Sequence, residues 1–298
     1  MTLSEIAKGA EQFLITGNGW PGYDPSKDVQ TNLKGFKPDV LMAYKPSEHL
    51  GVDQADIPVK VIRFNEAWWP EEKAHREASL MGANLVILHH ENDREFFPAK
   101  TPYEIVHLPH CVHPGVFYNN VIPDRRPLKA IVTGALNEKV YPLRCQMAYL
   151  INCSKISGFV RPHPGYELHP DQIDKQLQDY ANDLHRSQIA LVCSSIYRYA
   201  LAKYVESAMS GCVLIGDMPN DQFFKETLGK YLIEIPSNAS EDCLIDTVNQ
   251  TVNNAELLNF YSSELQQISL IHFTSESYAR RFWSAIRSVL SRNEHVIA

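Results

Sequence analysis

The residues from Ser187 to Asp221 constrain the fold of this chain more than any other stretch. An apolar run at 189–193 predicts a buried strand. The spacing of apolar residues at 201–209 predicts a helix that ends at Gly211, and 213–215 predicts a second strand. A strand, a helix and another strand in this order form the repeating unit of a parallel sheet. The chain is therefore expected to be an α/β protein.

Polar side chains collect where this unit should have its ligand edge. In an open α/β sheet, ligands bind outside the carboxyl ends of the strands. The polar residues that fall there are Ser194, Ser195, Arg198, Lys203, Glu206 and Asp217. Arginine and lysine suit a diphosphate, and a carboxylate suits the hydroxyl groups of a ribose. This combination points to a nucleotide-activated substrate.

The rest of the chain continues the alternation in two series. The other predicted strands are 39–43, 59–64, 85–88, 105–108, 129–133, 158–160 and 231–235. The other predicted helices are 70–81, 143–151, 171–185, 241–253, 255–271 and 276–290. A proline-rich stretch at 109–127 separates the two series. We place one domain at 1–118 and a second at 128–275, and we expect the final helix, 276–294, to pack back on the first domain.

Two details of this organisation are expectations in their own right. No strand is predicted before residue 39, so either the first sheet is reduced or the chain belongs to a larger polypeptide. The charged run Asp124–Arg125–Arg126 lies in the separator and is expected to face solvent.

Composition excludes several classes of function. The 298 residues carry a formal net charge of −7, which argues against a broad nucleic-acid-binding surface. No apolar run approaches the length of a membrane span, and the first residues lack the pattern of a secretory signal, so a cytoplasmic protein is expected. The six cysteines include no Cys-x-x-Cys pair and lie mostly in apolar runs. Free buried thiols are therefore predicted rather than disulfides or metal ligands.

The 187–221 stretch resembles the donor-binding segment of GT-B glycosyltransferases, especially the group 1 and CgeB-like families. Those enzymes carry Arg or Lys and then Glu on the helix before a small–Gly–apolar–apolar turn. Here the pattern is Arg198, Lys203 and Glu206, followed by Ser210 to Leu214. Many retaining group 1 enzymes have a first glutamate eight positions before the second, where this chain has Arg198. The resemblance therefore does not extend to the stereochemical outcome.

Two further stretches carry the same resemblance. Residues 108–114, Leu-Pro-His-Cys-Val-His-Pro, resemble the crossover of these families, and 273–281 resembles their closing segment before the last helix. The resemblance implies two Rossmann-like domains that face a central cleft, the first of them reduced. It implies a UDP- or GDP-linked sugar on the second domain and a glycan, lipid-linked or protein acceptor on the first. It implies metal-independent transfer in glycan biosynthesis, with no cofactor.

The resemblance also assigns roles at the donor site. Glu206 is expected to accept hydrogen bonds from the ribose, the alternative being a solvated ion pair with Lys203 on one helix face. Arg198 and Lys203 are expected to neutralise the departing diphosphate, the alternative being a solvent-facing pair. Gly134 follows a predicted strand, where a glycine lets backbone N–H groups approach a phosphate. The alternative for Gly134 is an ordinary tight turn.

Three more residues complete the predicted donor site. His163 lies in the cluster Arg-Pro-His-Pro-Gly at a strand end, where rigid prolines would hold it against the base or phosphate. The alternative is a rigid surface turn. Ser194 and Ser195 end the strand before Arg198 and are expected either to bind phosphate or to cap the following turn.

The predicted acceptor site follows two strands of the first half. Asn65, Glu66, Trp68 and Trp69 come directly after one strand, and His90 follows the next, beside His89. Indole faces and amides suit a sugar, and Glu66 is the best carboxylate for a general base. The alternative is structural, with Glu66 near a helix start, the tryptophans packed in the core between the domains, and the histidines partly buried with satisfied hydrogen bonds. Asp24, in a Gly/Pro-rich loop, is a further candidate base.

No metal site is predicted. His110, Cys111 and His113 alternate along an extended segment, which points neighbouring side chains apart, and no Asp-x-Asp motif is present. Two rival functions stay open. The first is a nucleotide-sugar epimerase or hydrolase on the same fold, and the second is a non-catalytic nucleotide-binding module.

Overall fold

The computed structural model describes residues 2–17, 20–68, 73–165 and 170–297. The strands are β1 Val40–Ala43, β2 Val59–Phe64, β3 Leu85–Leu88, β4 Glu104–His107, β5 Leu128–Val132, β6 Gly158–Val160, β7 Ser187–Val192, β8 Val213–Gly216 and β9 Ile233–Glu234. The helices are α1 Thr2–Ala7, α2 Val29–Asn32, α3 Lys73–Met81, α4 Pro114–Phe117, α5 Pro142–Asn152, α6 Pro170–His185, α7 Ala202–Met209, α8 Gln222–Glu226, α9 Glu241–Val252, α10 Ala255–His272 and α11 Ser275–Ile297. Short 3-10 helices cover Pro46–Glu48, Glu91–Phe96, Pro123–Arg125 and Leu228–Tyr231.

Contacts divide the chain into two compact units. The first unit is Met1–Pro109 with Tyr278–Ala298, and the second is His110–Ser277. Within the first unit, the Trp283 indole N–H donates to the Ile6 carbonyl (2.9 Å), which ties α11 to α1. None of the helices in the described ranges is both long enough and apolar enough to cross a bilayer.

The first unit is built on a parallel sheet with the strand order β1-β2-β3-β4. All four residues of β3 are buried, as expected for a central strand of a parallel sheet that is covered on both faces. Helix α3 buries Ala74, Ala78 and Met81, which repeat at helical spacing and pack into the core of this unit.

The second unit is built on a five-stranded parallel sheet with the order β6-β5-β7-β8-β9. The chain runs outward from β5 to β6 and then crosses back to β7, so the strand order reverses between β5 and β7. Helices α5 and α9 contact each other on one face of this sheet. Because crossover connections are right-handed, α6 and α7 lie on the other face.

The predicted α/β class with two Rossmann-like halves is confirmed. The first sheet has four strands among the described residues, against five in the second. The predicted strands and helices are present at closely matching positions, although β9 is only Ile233–Glu234. Helices α1, α2, α4 and α8 were not predicted. Residues 70–72 of the predicted helix 70–81 lie outside the described ranges.

The prediction that the whole Asp124–Arg126 run faces solvent is wrong for Arg126. This residue is 4% exposed. Its guanidinium donates to the carbonyls of Val121 (2.6 and 2.9 Å) and Ser187 (2.9 Å), and burial lowers its pKa. Backbone acceptors on two sides therefore compensate the loss of water around this charge.

The cysteines are free, as predicted, but they are less buried than predicted. Only Cys193 and Cys212 are fully buried, and Cys153 is exposed. Burial raises the pKa of Cys212 to about 11, so this thiol stays protonated and unreactive at neutral pH.

Candidate functional site

The candidate site lies in the second unit, at the carboxyl ends of β5 and β7. The strand order reverses between these two strands, and this reversal is where open α/β sheets bind their ligands. Three segments reach this edge directly: the turn after β5, the loop after β7 and the residues that follow β8.

The loop between β7 and α7 has a strained but well-supported backbone. Ser195 (φ 63°) and Arg198 (φ 58°) both adopt the left-handed conformation, which non-glycine residues rarely occupy. The Tyr199 N–H donates to the Ser194 carbonyl (2.7 Å), and the Asn220 N–H donates to the Arg198 carbonyl (2.7 Å). Strain of this kind persists where surrounding contacts enforce it, and it clusters at functional sites.

A buried network anchors the start of this loop to the end of β8. Asp217 accepts hydrogen bonds from the Ser194 N–H (2.8 Å) and the Ser194 hydroxyl (2.5 Å). The Tyr204 hydroxyl, on α7, donates to the Asp217 carbonyl (2.7 Å). Both Ser194 and Asp217 are nearly inaccessible to solvent. The Ser194 hydroxyl therefore supports the loop.

A cavity of about 240 Å³ opens beside this loop. Its lining is Tyr141, Pro142, Leu143, Cys193, Ser195, Ile196, Arg198, Asp217 and Ser237. The Arg198 guanidinium donates through Nη2 to the Met218 carbonyl, whereas its buried Nε has no hydrogen-bond partner among the described residues. The cavity is thus lined by a cation that forms no ion pair with a described residue.

The first turn of α5 contributes to the same cavity. Pro142 occupies the first helical position, and Tyr141 at the N-cap makes no side-chain capping bond. In the part of the chain that the structure describes, the Leu143 N–H has no hydrogen-bond acceptor. An uncapped helix N-terminus carries partial positive charge and favours anions.

A second polar cluster lies between α6 and α7. We call it the Tyr180 cluster, and it consists of Tyr180, Lys203 and Glu206. Glu206 Oε2 accepts from the Tyr180 hydroxyl (2.8 Å) and from Lys203 Nζ (2.8 Å). Lys203 Nζ also lies 4.3 Å from the centroid of the Tyr180 ring. The Thr133 side chain, directly after β5, lies near the Tyr180 hydroxyl, which places the cluster near the carboxyl end of β5.

Burial controls the protonation of this cluster. Tyr180 is 9% exposed, and burial, with the nearby Glu206 carboxylate, raises the pKa of its phenol well above the ordinary value. The hydroxyl is therefore a hydrogen-bond donor at any physiological pH. The Lys203–Glu206 pair that the sequence offered as an alternative is present, but it is partly buried, with 28% and 16% of the two side chains exposed.

Gly134 makes the turn after β5 in a left-handed conformation, with φ of +100°. A Cβ atom there would lie 2.8 Å from Arg144 Nη1. Arg144 is buried, donates to the Ala135 carbonyl (3.0 Å), and stacks its guanidinium 3.9 Å from the centroid of the Tyr141 ring. Gly134 is therefore required by both the turn and the arginine behind it.

Sequence reasoning missed Tyr141, Arg144 and Tyr180. A signal existed for Tyr141, since Pro142 marks the first helical position and so places the N-cap. Arg144 and Tyr180 lie inside helices and have no sequence pattern that distinguishes a buried, bonded polar group from an exposed one.

Known proteins resemble this chain in structure but not in sequence. No protein-family model matches the chain, and no curated protein is similar to it in sequence. A glycosyltransferase from Rickettsia africae ESF-5 superposes with a TM-score of 0.59 at 11% identity, over 93% of this chain and 84% of that one. Sucrose-phosphate synthase from Thermosynechococcus elongatus gives 0.58 at 12% identity, over 88% and 76%. Anabaena HepE, solved with UDP and glucose, gives 0.58 at 12% identity, over 84% and 78%.

The chain has the GT-B fold. At these identities the likeness is one of fold, and it does not support the CgeB-like subgroup in particular. In this GT-B chain the carboxyl ends of β5 and β7 are followed by Gly134, Ser194, Ser195 and Arg198, and Lys203 and Glu206 lie on the next helix, α7. Four of them fall into two groups. Ser195 and Arg198 line the cavity, and Lys203 and Glu206 belong to the Tyr180 cluster.

His163 lies further out than the other predicted donor residues of the GT-B chain. It is exposed, and its Nδ1 accepts from the Gly165 N–H (3.0 Å). Its neighbour Arg161 is turned inward, pairs with Asp183, and places its guanidinium 5.7 Å from the Tyr180 ring centroid. Arg161 thus contacts the Tyr180 cluster, although the sequence singled out His163.

The predicted acceptor residues of the first unit fall into two environments. Asn65 and Glu66 are exposed in the loop after β2, where Glu66 Oε2 accepts from the Trp68 indole N–H (2.9 Å). His90 is 1% exposed. Trp69 lies outside the described residues. The structure thus brings Glu66 and Trp68 together in the loop that also carries Asn65, while His90 is enclosed by protein.

Two minor candidates have local roles. His113 Nδ1 accepts from the Gly115 N–H (3.1 Å) and caps α4. Asp24 accepts from the Ser26 hydroxyl (2.6 Å) and N–H (3.0 Å), and these bonds lower its pKa.

Proposed function

We propose that this chain is a glycosyltransferase that moves a sugar from a nucleotide-diphosphate donor to an acceptor without a metal ion. One observation carries the proposal. At the strand-order reversal of the second sheet, Arg198 and the first turn of α5, whose N-cap side chain makes no capping bond among the described residues, line one cavity. Two such donors at a sheet edge suit a diphosphate.

The Tyr180 cluster supports the rest of the donor. Glu206 Oε1 accepts no hydrogen bond from a described residue, so this carboxylate can bind a ribose hydroxyl. Lys203 provides a second cation for the diphosphate. Negative charge grows on the leaving phosphate in the transition state, and Arg198 and Lys203 would stabilise it in place of a metal. Gly134 would let the backbone approach the phosphates, and Ser195 would hydrogen-bond them.

The neighbours favour a uridine nucleotide. HepE has been solved with UDP and with UDP-glucose, and these complexes support a UDP-linked donor ahead of a GDP-linked one. The acceptor would bind the first unit at Asn65, Glu66 and Trp68, with Glu66 as general base. Donor binding by His163 and acceptor binding by His90 are predictions from the sequence. So are a glycan, lipid-linked or protein acceptor and a cytoplasmic location.

The proposal is tested with a panel of UDP-, GDP- and ADP-linked sugars in the presence of EDTA. Binding is measured as the rise in melting temperature, because a ligand of the native state stabilises it. Release of nucleoside diphosphate is then measured with and without a mixture of glycan acceptors. We expect one nucleotide sugar to bind, and we expect the release of its nucleoside diphosphate to require an acceptor.

Each other outcome contradicts the proposal in its own way. Turnover that needs no acceptor indicates a hydrolase or epimerase. Binding without turnover under any acceptor indicates a nucleotide-binding module. Turnover abolished by EDTA contradicts metal independence alone.

A further inference from the structure

Tyr180 contacts both charged residues of its cluster through different parts of one side chain. Its hydroxyl donates to Glu206 Oε2 (2.8 Å), and its ring lies under Lys203 Nζ (4.3 Å to the centroid). We infer that Tyr180 is a positioning residue that fixes the Glu206 carboxylate for the ribose when Lys203 moves to the diphosphate. This inference rests on the proposed function and deepens it.

The hydrogen bonds of Glu206 explain why such a residue is needed. Each carboxylate oxygen has about two acceptor sites. Oε2 already accepts from Tyr180 and Lys203, so it has no site left for a ribose hydroxyl. When Lys203 turns to a phosphate, one site on Oε2 becomes available. Both oxygens can then accept from the vicinal hydroxyls of the ribose.

Without Tyr180, that exchange would leave Glu206 unrestrained. The Lys203 contact is the only other hydrogen bond that a described residue makes to this carboxylate. The Tyr180 ring packs edge-on against the Phe117 ring (5.9 Å between centroids), and Tyr180 is only 9% exposed. A buried donor that is fixed in this way can keep the carboxylate in place through the exchange.

The ring has a separate effect on Lys203. An ammonium over an aromatic face is attracted to it even after its carboxylate partner is lost. The Tyr180 ring therefore gives Lys203 a favourable contact that does not depend on Glu206. The two functions can be separated experimentally, because replacing the tyrosine by phenylalanine removes the hydroxyl and keeps the ring.

The test uses calorimetry to compare the affinity of UDP with that of 2′,3′-dideoxy-UDP. The same comparison is made between GDP and 2′,3′-dideoxy-GDP. The ratio of the two affinities is the ribose preference. We expect Tyr180→Phe to lower this preference about tenfold, the loss of one hydrogen bond to a charged group, while binding of the dideoxy form changes little. Lys203→Met should weaken both forms together and retain the ribose preference.

Tyr103→Phe is the matched control. Tyr103 is also buried, and its hydroxyl hydrogen-bonds a side chain, His75 Nδ1 (2.6 Å), in the first unit. The melting temperature of this variant should fall, as that of Tyr180→Phe does. Its ribose preference should stay at the wild-type value. A general loss of stability is thereby separated from positioning.

Two results overturn the inference alone: an unchanged ribose preference in Tyr180→Phe, or loss of that preference in Lys203→Met. The Lys203→Met measurement tests the inference even if Tyr180→Phe does not fold. A wild-type chain that binds neither UDP nor GDP overturns the proposed function and this inference with it.

Discussion

At the scale of single residues, Arg198 and Lys203 carry the same charge in different surroundings. Lys203 forms an ion pair with Glu206 (2.8 Å), whereas Arg198 has no carboxylate within ion-pair distance among the described residues. Arg198 is therefore available to an anion as it stands, and Lys203 must exchange partners. Both are expected to act mainly on the transition state, where the leaving phosphate carries the most charge.

Arg198→Ala and Lys203→Ala should each lower kcat by about a hundredfold or more, the scale for removing one preorganised donor. Donor affinity in the ground state should fall less, and added magnesium or manganese should not restore the rate. Lys155→Ala is the control, because Lys155 also pairs with a glutamate, Glu241 (2.6 Å), on the exposed surface of the second unit. Near-wild-type kcat in both site variants would show that the leaving-group site has been misassigned.

His90 gives a prediction about pH. Burial, with smaller contributions from His89 and His107, lowers its pKa from 6.5 to about 3. The unfolded chain takes up a proton near pH 6.5 and the folded chain does not, so stability is lost as the pH falls from about 6.5 toward 3. Between pH 7 and 5 this group alone should cost about 2 kcal/mol. In denaturant titrations, His90→Phe should show a smaller loss over that interval; an equal loss would contradict the burial of a neutral His90.

Sequence reasoning reached some of these residues and not others for a physical reason. Lys203 and Glu206 lie on one helix face before a glycine turn, and that spacing is visible in the sequence. Arg126 reads as part of a surface charge run, and only the fold supplies the carbonyls of Val121 and Ser187 that allow it to be buried. Tyr180 and Arg144 likewise depend on partners that are distant in sequence.

At the scale of elements, β8 must approach β7 closely for the cavity to form. Gly216 ends β8 directly before Asp217, and a Cβ atom there would lie 2.1 Å from the Val192 carbonyl oxygen. The absence of a side chain lets the two strand ends meet, so that Asp217 reaches Ser194 (2.8 Å) and anchors the loop that carries Arg198.

Gly216→Ala should therefore lower the free energy of unfolding by about 3 kcal/mol or more, the upper range for overpacking a core. Gly35→Ala provides the comparison, since Gly35 has a positive φ of 87° but nothing within 4 Å of its Cβ position. That variant should cost about 1 kcal/mol, from backbone strain alone. Equal losses in the two variants, measured by denaturant unfolding, would mean that the close approach of β7 and β8 is not enforced.

The elements themselves were largely predictable, because buried parallel strands are short apolar runs and the helices between them keep a 3.6-residue period. The 3-10 helix at Pro123–Arg125 and helix α4 were not, since both lie in a proline-rich stretch without periodicity. Strand order was not predictable either, because sheet neighbours are set by crossovers rather than by any one strand.

At the scale of the whole molecule, the two units differ in the one feature that creates a ligand crevice. The described strands of the first sheet run in sequence order without a reversal, whereas the second sheet reverses between β5 and β7. The second unit is therefore the one expected to bind the nucleotide. The polar residues at this edge agree with that assignment.

A crystal structure with UDP, or with GDP if GDP binds more tightly, tests this account most directly. The account predicts the diphosphate at the N-terminus of α5, within hydrogen-bonding distance of Arg198 and Lys203, and the ribose hydroxyls on Glu206. A nucleotide bound to the first unit, or bound to the second with its diphosphate away from Arg198 and Lys203, would contradict it.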